Sequence, residues 1–329
     1  MVYLVLQKNG MGNQMFAYAY ARYLQECYCQ RDGTEKLTIN ADCFINGVQD
    51  EHADPRHLSL NHFYLNPNTL YLNPEEQAEF KKTRRRQLLR AMGLWDSILL
   101  KVFHKKKTGE AAFIKYARKG IYYSYHSREY YQTVLCSEKN KYVSGHFQDM
   151  RYFDSIRSIL KEEFRIKTPA SVEIQAMLQR LQTCNGVCLH VRRGDYLNPY
   201  WAKLNICDEA YYQKAVEEIL NTVEDPVFFV FSNTSKDLEW IRENYHFVNP
   251  KTGKSVPMEY VDLSNPDYEE FRLMRACKHF IIPNSTFSWW AAYLADEDSV
   301  VCAPDRWDLT IPGDAEMNCP GWRIIPTGK

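Results

Sequence analysis

Phe280-Ile-Ile-Pro-Asn-Ser-Thr-Phe-Ser-Trp-Trp-Ala-Ala-Tyr-Leu294 passes from a short apolar run, through a polar loop, into a segment free of helix breakers. Strand, polar turn and helix in that order make one α/β unit. Outward from it the pattern repeats. Apolar runs predict strands over 186–191, 227–231, 279–282 and 299–303, and amphipathic stretches predict helices over 208–221, 236–244 and 286–295. Such alternation implies a mostly parallel sheet covered on both faces. The amino-terminal half offers one similar unit: a strand from Val2 to Leu6, a Gly- and Asn-rich turn (Lys8-Asn-Gly-Met-Gly-Asn13) and a helix from about Gln14 to Cys27. No period of 20 to 50 residues is visible, so a solenoid is not expected.

A chain of 329 residues has room for two domains of ordinary size. An amphipathic helix over Tyr152–Phe164 is followed by Ile166-Lys-Thr-Pro-Ala170, whose proline marks a linker. The expected domains are therefore 1–167 and 168–329. Residues 30–75, rich in Asn, Asp, His and Pro, read as loops and short strands of the kind that carry acceptor-reading surfaces.

Lys and Arg together number 41, as do Asp and Glu, so no overall field collects nucleic acid. The ten cysteines include no CxxC pair and no zinc-type Cys/His spacing, and several sit in apolar runs as small hydrophobes. A reducing compartment is the simpler reading. No basic stretch followed by a long apolar one opens the sequence, and no window approaches the roughly 20 apolar residues of a spanning helix. A bacterial, cytoplasmic protein is expected. From Lys81 to Lys107 there are ten basic residues and one acid, with Leu88, Met92, Trp95, Leu99 and Val102 at helical spacing. Two readings stand for residues 81–107: contact with an anionic membrane surface or lipid-linked acceptor, or a helix packed on its own domain with a solvated basic face.

Parallel sheets bind ligands beyond the carboxyl ends of their strands, so the residues that follow each apolar run matter most. After Val187-Cys-Leu189 comes His190-Val-Arg-Arg-Gly-Asp195. Val227–Phe231 is followed by Ser232-Asn-Thr-Ser235, and Phe280-Ile-Ile282 by Pro283-Asn-Ser-Thr-Phe-Ser288. Of Arg192 and Arg193, which would point to opposite faces in a persisting strand, one can clamp a diphosphate while the other pairs with Asp195 or braces the loop. Asn284 to Ser288 precede a helix, where hydroxyls and backbone amides can seat phosphate oxygens or merely cap the helix. Ser232 and Asn233 lie where a nucleoside could be bonded, or simply form a turn. Gly10-Met-Gly-Asn-Gln14 allows close backbone approach, yet it is not GxGxxG and lacks the lysine of a P-loop. His62, His146 and His190 show no metal-ligand spacing and no DxD-like pair ends a strand, so Arg and a helix dipole would have to neutralise a diphosphate unaided.

Taken together, Gly10-Met-Gly-Asn-Gln-Met-Phe16, Gly145-His-Phe-Gln148, His190-Val-Arg-Arg-Gly-Asp-Tyr196, Phe231-Ser-Asn233 and Asn284-Ser-Thr-Phe-Ser-Trp-Trp-Ala-Ala-Tyr-Leu294 resemble the bacterial α-1,2-fucosyltransferases of glycosyltransferase family 11. The resemblance runs in order from about residue 3 to about residue 305. It implies an α/β fold of GT-B type, two Rossmann-like domains facing across a cleft, with GDP-fucose held by the second. It also implies inversion at the anomeric carbon, no metal and no other cofactor, and an oligosaccharide acceptor. By position, the catalytic set would be Arg192, Asp195 and Asn13. The donor would be bound by Gly12, Asn13, His190, Arg192, Arg193, Ser232, Asn233, Asn284, Ser285, Thr286, Phe287 and Ser288. Arg192 is favoured for the β-phosphate, and Asn13 would reach the donor from the first domain. Asn233 stands where many relatives have Asp, and His146 where Tyr is usual. The competing readings are GDP-fucose transfer in another linkage (α-1,6 or to a protein hydroxyl) and glycan binding without turnover.

Overall fold

The computed structural model describes residues 1–33, 36–46, 56–103, 109–124, 129–310 and 317–328, without the side chains of 46 and 93–103. In chain order the elements are β1 (Val2–Val5), α1 (Met11–Asp32), β2 (Leu37–Asn40), α2 (Asp42–Asn46), β3 (Thr69–Tyr71), α3 (Pro74–Phe103), α4 (Glu110–Ala117), β4 (Ile121–Ser124), β5 (Lys141–Gly145) and α5 (Arg157–Glu163). They continue with α6 (Val172–Gln182), β6 (Asn185–His190), α7 (Glu209–Thr222), β7 (Pro226–Phe231), α8 (Ser235–Asn244), β8 (Met258–Tyr260), α9 (Asp267–Ala276), β9 (His279–Ile281), α10 (Thr286–Tyr293), β10 (Val301–Pro304) and β11 (Arg323–Ile325).

The strands form two sheets, ordered β3-β2-β1-β5-β4 and β11-β10-β9-β6-β7-β8, and every pairing in both is parallel. Each sheet, covered by helices, makes one α/β unit of Rossmann-like type. The chain divides into two compact units, one reaching Glu163 and the other running from Phe164 with Asn61–Phe63 added.

In the first unit β1 is buried on both faces. Val2 and Leu4 are fully buried, while Tyr3 and Val5 pack against a cluster of Phe80, Met92, Tyr116 and Tyr142 built by α3, α4 and β5. The second unit repeats the scheme. Val187 and Leu189 on β6, with Phe228 and Val230 on β7, meet Tyr211, Ala215, Val216 and Ile219 of α7 and Leu238 and Ile241 of α8. Burial on both faces is why these strands read as continuous apolar runs rather than as alternating ones.

Three expectations are corrected. The helix expected from Gln14 starts at Met11, so Met11, Gly12 and Asn13 form its first turn instead of a loop. A tertiary clasp fixes this start: Gln14 is buried, its Nε2 donates to the carbonyls of Asn9 and His57, and its Oε1 accepts from the Ser59 amide. The helix expected over Tyr152–Phe164 opens as two 3-10 turns, Met150–Tyr152 and Asp154–Ile156, before α5. Asp149 caps the first through the Arg151 amide, and Phe153, with φ −148°, breaks the run. The strand carrying the arginine pair ends at His190, so alternation does not orient Arg192 and Arg193.

The basic stretch is helical from Pro74 to Phe103. Phe80 and Met92 are buried and Leu88 packs on their cluster. Lys81 pairs with Asp42 at 3.1 Å and Arg90 with Glu138 at 2.6 Å, while Lys82, Arg85 and Arg86 are exposed. The side chains of Trp95, Leu99 and Val102, and residues 104–107, lie outside the described set. Among the described residues no helix is long and apolar enough to cross a membrane.

Candidate active site

Three loops leave the second sheet at one edge because their strands are parallel and in register: His190 lies opposite Phe231, and Leu189 opposite Ile281. Helices that follow parallel strands run back along the sheet, so α8, α9 and α10 begin at that edge too. The Ser232 hydroxyl donates to the Val191 carbonyl at 2.8 Å, and the Asn233 Oδ1 accepts from the Arg193 amide at 3.2 Å, tying the first two loops together.

Gly194 makes the sharp turn between the arginines and Asp195. Its φ is +35°, and a Cβ there would come within 2.5 Å of the Asn233 side-chain nitrogen, so this position takes glycine. The turn brings the Asp195 carboxylate back to Arg192 at 2.6 Å, and the Arg192 guanidinium also stands 5.3 Å from the Tyr196 ring. Both members of the pair are largely enclosed, with side-chain exposures of 17% and 8%. Arg193 goes elsewhere. Its guanidinium carbon stands over Trp240, 3.3 Å from the ring centroid, with Nε 3.4 Å from Asp237. Asp237 and Trp240 are three residues apart and share one face of α8. Neither partner was anticipated from the sequence.

His190 and Ser288 are both buried, and the imidazole Nδ1 lies 2.8 Å from the Ser288 hydroxyl. Burial, and secondarily the charge of Arg192, pushes the imidazole down to about 3. His190 is therefore neutral at pH 7 and ties β6 to α10 from beneath. Asn284 is buried as well. Its Nδ2 donates to the carbonyls of Leu204 and Trp307, and its own carbonyl accepts from the Tyr196 hydroxyl. His190, Asn284 and Ser288 thus hold the loop from within the fold.

Ser285 stands at the N-cap position of α10, yet its side chain makes no capping bond. Among the described residues neither the Ser285 nor the Thr286 hydroxyl is hydrogen-bonded. The helix start therefore keeps donors for an anion, reinforced by the positive end of the helix dipole. Phe287 packs its ring against Phe271 of α9, centroids 5.9 Å apart, and 6.3 Å from His190.

Gly12 and Asn13 lie in the first unit, in the opening turn of α1. The Asn13 Oδ1 accepts from Gln148 Nε2 at 2.6 Å. Gln148 follows a strained turn, with Gly145 at φ +139° and Phe147 at φ +50°, and a Cβ on Gly145 would meet the Ser124 carbonyl at 2.4 Å. His146, between them, has a buried Nδ1 that finds no hydrogen-bond partner among the described residues, and burial lowers its basicity. Among the described residues no three His, Cys, Asp or Glu side chains gather as a metal would need.

The model of a known family, Glycosyl transferase family 11, matches residues 1–322. The chain belongs to glycosyltransferase family 11. An O-antigen biosynthesis glycosyltransferase of Escherichia coli, WbnK, is 28% identical over 315 residues, 91% of this chain and 92% of that one. An alpha-1,2-colitosyltransferase of Escherichia coli is 32% identical over 168 residues, 50% of this chain and 54% of its own length. Galactoside alpha-(1,2)-fucosyltransferase 2 of Mus musculus is 30% identical over 224 residues, 64% of this chain and 62% of the mouse protein. The last two matches span less than two thirds of those relatives. The arginine loop and the start of α10 both fall inside the family 11 match.

One prediction concerns the buried imidazole. Because the folded-state value of His190 is depressed below the ordinary 6.5, unfolding takes up a proton between the two values. The stability this group contributes is present above 6.5 and is lost as the pH falls through that window, by roughly 1.4 kcal/mol per pH unit. Urea unfolding at pH 7 and pH 5 checks it: His190→Gln is expected to show a shallower acid loss than the wild type.

Proposed function

We propose that this glycosyltransferase moves L-fucose from GDP-β-L-fucose to the 2-hydroxyl of a galactose-containing glycan, with inversion and without a metal. The observation that carries the reading is the convergence, at one sheet edge, of the Asp195-held Arg192 with the uncapped Ser285–Thr286 start of α10. A guanidinium gives two parallel bonds to a phosphate, and a helix N-terminus neutralises further charge, so a leaving diphosphate is stabilised as it departs. Ser232 and Asn233, beside the arginine loop, would flank the nucleoside. In the reaction the acceptor oxygen bonds to the anomeric carbon, the bond from that carbon to the β-phosphate oxygen breaks with its electron pair leaving on GDP, and the hydroxyl proton passes to a base. Asn13, held by Gln148, is the residue of the first unit included in this reading.

The colitosyl and fucosyl relatives share the α-1,2 linkage in their names and differ in the sugar, which supports the linkage more firmly than the donor. Peripheral contact of residues 81–107 with anionic surfaces belongs to the same proposal and rests on ten basic residues against one acid; a cytoplasmic location is proposed with it from cysteines that sit in apolar runs without CxxC spacing. The test is transfer from GDP-fucose to a panel of galactosides in the presence of EDTA. Linkage analysis of the product is expected to give α-1,2-linked fucose at an undiminished rate. A rate lost to EDTA and restored by Mn²⁺ would remove the metal-free mechanism. Glycan binding with neither GDP affinity nor turnover would favour a glycan-binding protein, since such a site needs no diphosphate clamp.

A further inference from the structure

The reaction above leaves a proton without an assigned acceptor. Asp195, the carboxylate nearest Arg192 in sequence, is committed to that guanidinium at 2.6 Å. A second carboxylate stands at the same edge. Glu270 lies in the first turn of α9, and that turn sits at the carboxyl edge of the sheet because α9 runs from the loop after β8 back to the start of β9. Phe271, next in the chain, packs on Phe287 in the first turn of α10, so the first turns of α9, which carries Glu270, and of α10 lie against each other.

The other acids of this turn have ordinary explanations. Glu269 pairs with Arg272 at 2.7 Å, and acids in a first turn complement the helix dipole. Glu270 differs: among the described residues its carboxylate has no hydrogen-bond partner and no ion pair. Burial, and then the neighbouring Asp267, push it up to about 8 against the opposing pull of Arg192. Asp267 from its own helix and Arg192 from the loop after β6 are the charges acting on it. α10 brings no acid or base to the contact apart from Tyr293 at its far end. On α6, which also packs on α9, Arg180 is taken by Glu259, and Glu173 lies in the first turn, which Ser171 caps.

We infer that Glu270 is the proton acceptor for the attacking hydroxyl. Its Oε takes the hydroxyl proton as the oxygen–carbon bond forms, while the pair released from the breaking carbon–oxygen bond goes to GDP. A base works best with a value close to the operating pH, and the half-buried setting of Glu270 beside Asp267 moves it that way, with Arg192 near enough to stabilise the carboxylate form. This inference rests on the transferase reading. Wild-type transfer and GDP titration run alongside therefore test that reading separately.

The experiment is Glu270→Gln, which keeps size and polarity and removes a charge the site disfavours, so Tm is expected to be kept. Its kcat should fall by roughly 10²-fold with GDP affinity unchanged. The wild-type kcat should rise with pH toward a plateau above about 8, and that rise should vanish in the variant, with part of the activity restored in Glu270→Asp. A variant with near wild-type kcat overturns the assignment. So does a fall in kcat matched by a parallel loss of GDP affinity, which would make Glu270 a support for Arg192.

Discussion

Arg192→Lys is expected to cut kcat/KM by about 10² to 10⁴ and to weaken GDP by a similar factor. A guanidinium offers a planar fork that can hold Asp195 on one side and phosphate on the other, whereas an ammonium is a single point of charge on a flexible stem. The lysine would have to choose between the two. Bonds to charged groups are worth about 1.5–3 kcal/mol each, and two are at stake, which gives the stated range. Arg193→Lys is the control. That guanidinium stands over Trp240 and pairs with Asp237, so its replacement should loosen the loop and lower Tm more than it lowers GDP affinity. Calorimetric titration with GDP and initial rates on one galactoside check both. Retained GDP affinity in Arg192→Lys would take Arg192 out of the phosphate site.

The carboxyl-terminal half was legible because its central strands are apolar on both faces and short polar loops follow them. Strand ends announce themselves where Val187-Cys-Leu189 gives way to His190-Val-Arg-Arg, and where Phe280-Ile-Ile282 gives way to Pro283-Asn-Ser. The edge strands β8 and β11 have three residues each and β8 is only half-buried, so they left no such trace. In the first half the sheet order places β5 beside β1, although well over a hundred residues separate them in the chain. Local pattern carries no information about pairing at that range. The start of α1 was misread for a related reason: Gly10 and Gly12 are poor helix formers, and the clasp that overrides them is made by Gln14 with His57 and Ser59.

The site divides along the same line. Residues that leave strand ends, among them Arg192, Asp195, Ser285 and Thr286, could be read because topology alone brings them to one edge. Whether each faces a ligand or its neighbours could not be read, since that depends on contacts across loops. His190 finds Ser288, and Asn284 finds two carbonyls, through pairings 98, 80 and 23 residues apart in the chain. Glu270 was missed because Asp267-Tyr-Glu-Glu270 has the composition of an ordinary solvated first turn, whereas in the fold Glu269 is buried and Glu270 half-buried.

Asp195→Ala should produce the second large effect, in a pattern that separates holding an arginine from taking a proton. Removing one member of an enclosed ion pair strands the other, at a cost of about 2–5 kcal/mol. Arg192 is enclosed in this loop, so without Asp195 its guanidinium is left unpaired there and is expected to swing away from the phosphate site. GDP affinity and kcat/KM should therefore fall together, by roughly 30-fold to 10³-fold or more, with kcat at saturating donor much less affected. Asp195→Asn keeps an acceptor oxygen for the Arg192 Nη2 and should lose less on both counts, the graded behaviour of a positioning group. A base would behave otherwise, since Asn is as unable as Ala to take a proton and both variants would lose kcat equally with GDP affinity intact. That equal loss, in titrations and saturation kinetics run side by side on the two variants, would move the proton acceptor from Glu270 to Asp195.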